Sequence, residues 1–221
     1  VIIGNSAAAI GCVEGIRQRD GDGKILIISD EKHHTYSRPL ISYLLMGKTD
    51  PERMKYRPDS FYADNGCEVT LGKTVVKISP DKKTVAIDDG TEIEYDRLLV
   101  ATGSRPIVPP IAGIEKVKNS TIFMYLDDAI KLQSMLRPDL RVMILGAGLI
   151  GLKCAECIVG KVGKITVVDM APRILPSILD SEGAEIVMKH LESKGMEFIL
   201  DDSAAEFTEG SAVLKSGRTV D

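Results

Sequence analysis

The 221-residue sequence has little cysteine, no excess of positive charge and no long apolar run, and each shortage removes a class of function. Its four cysteines, Cys12, Cys67, Cys154 and Cys157, are too few and too scattered for a disulfide scaffold and form no paired zinc-ligand motif. Such usage suits a reducing compartment. Lys and Arg number 28 against 32 Asp and Glu, a formal charge of -4, and they are spread along the chain. No basic stripe attracts nucleic acid, and no polybasic block marks an anionic membrane surface. No apolar stretch approaches the roughly 18 residues of a membrane span, and the start carries no charged leader with a small-residue cleavage site. These shortages predict a soluble, cytoplasmic protein whose partners are small or locally steered.

What is present is an apolar content of 44%, enough for two cores of about 100 residues each. The chain starts inside an apolar strand without Met and stops in "LKSGRTVD", a hairpin pattern, which marks it as a piece of a longer protein. The opening "VIIGNSAAAIGCVEGIR" reads as a strand running into a helix, with Ala8, Cys12 and Ile16 on one helical face. After the turn "DGDG" comes the strand "KILIIS". A loop containing Pro39 leads to a short helical pattern, and Asn65 and Gly66 mark a helix stop. The period then changes: "CEVTL", "TVVKIS", "KTVAID" and "TEIEY" read as an antiparallel meander, closed by "DRLLVATG". The proline-rich "SRPIVPPIAG" places a domain boundary near Ile111, giving domains of 1–111 and 112–221. Beyond it the strand, glycine turn, helix, strand unit returns, and the long helix "DSEGAEIVMKHLESKG" ends at Gly195. The fold class is therefore α/β, with two Rossmann-like units and a meander inserted in the first.

Two glycine loops carry the chemistry. Gly146, Gly148 and Gly151 spell GxGxxG between strand and helix. The first glycine permits the tight turn, the second lets the backbone approach a pyrophosphate, and the third lets helix and strand pack closely. Unpaired N–H groups and the positive end of the helix dipole then face the anion. Asp169, at the end of the following strand, is positioned to accept hydrogen bonds from an adenosine ribose. Its charge opposes a 2′-phosphate and favours NAD over NADP, a preference that Arg173 weakens by offering a phosphate partner. The opening loop repeats the pattern as a variant with Gly4, Ser6 and Ala9, and Asp30 closes its second strand.

Two such loops in one chain, with "YSRP", "ATGSRP" and the meander between them in that order, resemble the FAD-dependent pyridine nucleotide-disulfide oxidoreductase family over essentially the whole sequence. "ISDE" and "YSRPLIS" look most like the branch of rubredoxin and ferredoxin reductases and the flavoprotein part of NADH-dependent nitrite reductase. The resemblance implies FAD in the first domain and NAD(P)H, with NADH favoured, in the second, and implies that the C-terminal part of the family fold is missing here. It implies that Gly4, Ser6 and Ala9 line the FAD pyrophosphate, that Asp30 meets its ribose, and that Arg38 lies near the pyrophosphate or flavin. It places the Val76 backbone at the adenine, and Thr102, Gly103 and Arg105 around the cofactor. Two departures stand out. Relatives with "RPPLSK" place Lys near the flavin where this chain has Tyr43, and many members carry Glu early in the second helix where this chain has Lys153. Lys153 has Glu156 and Glu14 as alternative partners.

No redox cysteine is expected. The first helix lacks the pair of the disulfide reductases, and the stretch "YSRPLISYLL" lacks the single cysteine of the NADH oxidases. Cys154 and Cys157 form CxxC, yet inside a helix where no dipole lowers a thiol pKa. Cys12 and Cys67 read as structural. His33 and His34 stand beside "TYSRP" within reach of a cofactor or partner, no metal is expected, and His190 reads as a surface residue. The expectation is a flavoenzyme that moves hydride from NAD(P)H to FAD and electrons on to rubredoxin, ferredoxin, a nitrite-reducing module or oxygen, with no acid-base catalytic residue. The alternatives are a thiol-dependent NADH oxidase or disulfide reductase, and a non-enzymatic flavin redox sensor. A homodimer of the full-length protein stays open.

Overall fold

In the computed structural model, which describes residues 1–221, the apolar start of the chain becomes strand β1 (Ile2–Ile3) and the helical pattern behind it becomes helix α1 (Ala7–Arg17). Strand β2 (Ile25–Ser29) and helices α2 (Ile41–Met46) and α3 (Phe61–Asp64) follow. Then come β3 (Cys67–Leu71), β4 (Val75–Ser79), β5 (Thr84–Ile87), β6 (Glu92–Glu94) and β7 (Leu99–Val100). The chain divides into two compact units, Val1–Ser37 with Pro51–Arg105, and Arg38–Asp50 with Pro106–Asp221.

The first unit is built on a parallel sheet in the order β3-β2-β1-β7, with Ile2 paired to both Ile27 and Leu99. Because side chains alternate across a strand, Ile2, Ile25 and Ile27 meet Ala9, Ile10 and Val13 of α1 on one face. Ile3 and Ile28 point the other way, onto Val85 and Ile87 of the antiparallel sheet β4-β5-β6. A sheet covered on both faces explains the unbroken apolar run of "KILIIS".

Two expectations are corrected here. The buried stripe of α1 is Ala9, Ile10 and Val13, while Ala8 is exposed and Cys12 and Ile16 lie at the margin of the core. Ile10 and Val13 remove more apolar area from water than Ala8, so they set the rotation of the helix on the sheet. "CEVTL" is not part of the meander. It is the fourth strand of the parallel sheet, paired with β2 from Ile25–Cys67 to Ser29–Leu71. A short period-two pattern carries no strand direction, and the long crossover from β2 through α3 supplies the length a parallel return needs.

The second unit continues with α4 (Leu126–Met135), β8 (Arg141–Leu145), α5 (Leu149–Ile158), β9 (Lys164–Val168), α6 (Ser181–Glu192) and β10 (Met196–Ile199). Strands β10-β9-β8 form a parallel sheet. The strands β11 (Ala204–Phe207), β12 (Ala212–Leu214) and β13 (Thr219–Val220) form an antiparallel sheet. Asp180 caps α6, accepting from Gly183 N at 2.8 Å, which satisfies a first-turn amide. Ile111 packs with Val168, Ile199 and Leu214, so the proline-rich stretch is grouped with this unit from Pro106 onward. Residues 38–50 are grouped here too, because Leu45 of α2 is fully buried among Leu152, Ala155, Ile158 and Ile174. Lys161 holds the same turn by donating to the Leu45 carbonyl. No helix is long and apolar enough to cross a membrane.

Truncating Leu45 removes a fully buried side chain from this core. Leu45→Ala is expected to lower the unfolding free energy by about 2–5 kcal/mol, measured by urea denaturation.

Candidate functional site

Each parallel sheet ends, at the carboxyl edge of its strands, in a strand-to-helix turn built the same way. In the first unit Gly4 N donates to Ile28 O at 2.8 Å, and in the second Gly146 N donates to Val168 O at 2.8 Å. The two glycines have φ of +114° and +110°, a region that L side chains rarely occupy. A side chain at Gly4 would also stand 2.2 Å from Ala101 O, at the end of β7. These constraints turn the chain so that each helix begins at the sheet edge with its first amides unpaired.

In the first unit Ser6 is the N-cap of α1 with extended backbone and no side-chain capping bond, and Ala9 is fully buried against the sheet. Asp30 follows β2 directly, and its carboxylate lies 3.6 Å from Arg105 Nη2. Thr102, Gly103 and Arg105 are exposed just beyond β7, so the central strand β1 brings all of these to one edge. Val76 falls where the β4–β5 register slips between Val75 and Lys77, which leaves an exposed stretch of backbone outside the regular ladder. Arg38 is grouped with the second unit, in a 3₁₀ turn over residues 38–40, with its guanidinium 5.0 Å from the centre of the Tyr125 ring.

Three residues absent from the sequence reading brace the first loop. The Asn5 Oδ1 accepts from Tyr62 Oη at 2.9 Å, Asn5 Nδ2 donates to His33 O at 3.4 Å, and Thr35 N donates to Tyr62 Oη at 3.0 Å. The His34 ring packs on Tyr62 at 4.7 Å between centroids, so the two histidines lie beside this brace. Glu31, next to Asp30, accepts from Tyr36 Oη at 2.5 Å. No spacing rule links Asn5 to Tyr62, 57 positions away.

In the second unit Gly148 caps α5 with φ −81° and ψ −177°, values open to any residue. A side chain there would meet nothing within 4 Å, so the fold itself gives no reason for glycine. Glycine here leaves bare, exposed backbone at the mouth of α5. At Gly151 the reason is internal, since a Cβ would stand 2.0 Å from Gly146 O. Leu149, Ile150 and Met170 flank this mouth and are 63%, 59% and 73% exposed, an apolar surface of the kind that marks a binding groove. Asp169 accepts from Ala147 N at 2.6 Å and from Ala171 N at 2.7 Å, one bond to each oxygen, leaving lone pairs for a further donor. Arg173 is turned onto carbonyls of its own segment, Pro176 O at 3.2 Å and Leu179 O at 3.3 Å. Lys153 pairs with Glu156 at 2.8 Å and lies 5.6 Å from the centre of the Tyr43 ring, while Glu14 is bound to Arg57. The two departures from the family pattern therefore touch each other.

The thiols of the CxxC pair are held in the protonated form. Burial pushes Cys154 up to about 12, and burial also pushes Cys157 up to about 11 despite nearby lysines. Cys157 Sγ contacts Ser42 O at 3.3 Å. The charged cavity lined by Arg141, Lys164, Glu197 and Arg218 also takes in Thr166, Ile199 and Val220, so it runs along one face of the β8–β10 strands beside β13 and includes none of the glycine-turn residues.

Fold and site together define a protein with two dinucleotide-binding α/β units. The model of one family, pyridine nucleotide-disulphide oxidoreductase, matches residues 1–221, and the chain belongs to that family. It is 32% identical over 195 residues to the NADH-dependent phenylglyoxylate dehydrogenase subunit epsilon of Aromatoleum evansii, covering 88% of this chain and 46% of that protein. It is 31% identical over 202 residues to the rubredoxin-NAD(+) reductase of Pseudomonas putida, covering 91% and 52%. Among solved structures, a chain of the covalent putidaredoxin reductase–putidaredoxin complex superposes with a TM-score of 0.91 at 25% identity, over 99% of this chain and 55% of that one. The ferredoxin reductase of Rhodopseudomonas palustris gives 0.88 at 27%, over 99% and 55%. The chain thus spans about half the length of these relatives.

Because Gly148 is open in both conformation and space, Gly148→Ala separates folding from binding. Its unfolding free energy is expected to stay within about 1 kcal/mol of wild type. Nucleotide affinity is expected to fall at least about tenfold as the new methyl meets the pyrophosphate, read by calorimetric titration with NAD⁺.

Proposed function

We propose that this chain is the cofactor-binding part of a flavin-dependent NADH oxidoreductase, with FAD held by the N-terminal domain (1–111) and NADH by the second (112–221). The observation that carries the reading is the repeated glycine turn, closed in both units by the same 2.8 Å amide-to-carbonyl bond and followed by an acid after the next strand. Gly4, Ser6 and Asp30 bind the pyrophosphate and ribose of FAD, Ala9 packs α1 onto the sheet behind them, and Val76, Thr102, Gly103 and Arg105 lie along the same cofactor. Gly146 and Gly148 seat the pyrophosphate of NADH, Gly151 lets the helix close onto the turn that holds it, and Asp169 accepts from its ribose hydroxyls through the lone pairs its two backbone bonds leave unused.

NADH is favoured over NADPH on two grounds. A 2′-phosphate would meet the Asp169 carboxylate as like charge, and Arg173 is already committed to the carbonyls of Pro176 and Leu179. Bound FAD supplies the exchange between hydride chemistry and the delivery of electrons to an acceptor. The protein's part is to bind and orient the two coenzymes and to exclude water, without a general acid or base. Rubredoxin-NAD(+) reductase, ferredoxin reductase and nitrite reductase among the relatives support a small redox protein or a nitrite-reducing module as the acceptor. A thiol route is disfavoured by the buried, protonated state of Cys154 and Cys157, since the thiolate is the nucleophile.

Anaerobic titration of the full-length flavoprotein is the direct test. NADH is expected to bleach the flavin absorbance at substoichiometric to equimolar addition, and NADPH to do so far more weakly. Absence of bleaching by either nucleotide overturns the proposal. The double variant Cys154→Ala, Cys157→Ala is expected to keep turnover with an added electron carrier within about threefold of wild type, and native protein to resist alkylation at mildly alkaline pH. A loss of turnover beyond about a hundredfold in a folded double variant would instead support thiol chemistry.

A further inference from the structure

Ala147, between the first two glycines of the second loop, is fully buried, and both of its backbone polar groups are engaged. Its N–H donates to Asp169, and its carbonyl accepts from Leu175 N at 3.0 Å. Leu175 makes that bond from a left-handed backbone, φ +48°, where a side chain with a Cβ is strained. Strain of this kind persists only where surrounding structure over-determines it. Here the Leu175 side chain is buried in the second core, and its carbonyl accepts from Ile178 N and Leu179 N at 2.9 and 3.0 Å. Pro176 restricts the ordinary helical choice for the residue before it. Arg173 then ties the turn together through Pro176 O and Leu179 O.

We infer that residues 173–179 form a clamp that holds the second glycine loop in its nucleotide-binding shape, and that Leu175 is a positioning residue for NADH. The inference rests on reading the Gly146–Gly151 loop as a nicotinamide nucleotide site. Through Asp169 on one side and Leu175 on the other, the loop is braced in the shape it needs, so binding does not have to order it. Arg173 serves the clamp and not the ligand.

Two substitutions in the full-length flavoprotein separate clamp from core, with NAD⁺ as the calorimetric probe. Leu175→Val stays apolar but, being β-branched, resists the left-handed backbone. Leu175→Asn tolerates that backbone but gives up apolar packing. The clamp predicts that Leu175→Val raises the Kd for NAD⁺ at least about tenfold and speeds hydrogen exchange at the Ala147 amide, which is bonded to Asp169. Leu175→Asn should lower Tm yet keep Kd within about threefold and the exchange slow. Wild-type affinity in Leu175→Val, or loss of affinity in both variants in step with Tm, overturns the inference. If wild type itself gives no binding heat, the nucleotide reading fails and the role for NADH falls with it. Slow exchange at Ala147 in Leu175→Asn but not in Leu175→Val would then leave a purely structural brace.

Discussion

The bond on which the rest of each unit depends is a single amide-to-carbonyl contact across the sheet edge, Gly4 to Ile28 in one unit and Gly146 to Val168 in the other. It ends the strand, commits the glycine to a positive φ and starts the helix from the carboxyl edge of the sheet. Without it the first amides of α1 and α5 would not share that edge with Asp30 and Asp169. An anion site made of main-chain N–H groups has no side chain to reposition, so its precision comes wholly from where the backbone is held.

The units differ in how they hold it. The first loop is braced by side chains: Asn5 reaches Tyr62 and the His33 carbonyl, and Tyr62 in turn receives the Thr35 amide. The second is held through the loop's own main chain, with the Ala147 N–H on the Asp169 carboxylate and the Ala147 carbonyl on the Leu175 amide. The distinction follows from the loop residue available. Asn offers a donor and an acceptor beyond its backbone, whereas Ala offers only its own N–H and C=O and must recruit a neighbouring segment.

Local pattern made much of this legible. Strand-to-helix turns were readable because Gly4, Gly146 and Gly151 answer to short-range needs, a positive φ or a backbone approach within six residues, and spacing records such needs. The β3 strand was readable as a strand but not as a parallel one, since alternation is the same for either direction. The rotation of α1 escaped by one position because three small or sulfur-bearing residues, Ala8, Ala9 and Cys12, blur its apolar stripe. Asn5, Tyr62 and Leu175 carried no signal at all: their partners are distant in the chain, or their backbone conformation is one the residue type disfavours.

By itself, then, the sequence determined that the chain contains two α/β units with phosphate-type glycine turns, each followed by an acid, because those features depend on neighbours a few positions apart. Tertiary structure alone decided which side chains brace the loops, that Lys153 lies against Tyr43, and that the CxxC thiols are buried. Each of those outcomes is set by packing between segments far apart in the chain, where burial and hydrogen-bond geometry, and not spacing, choose the partner.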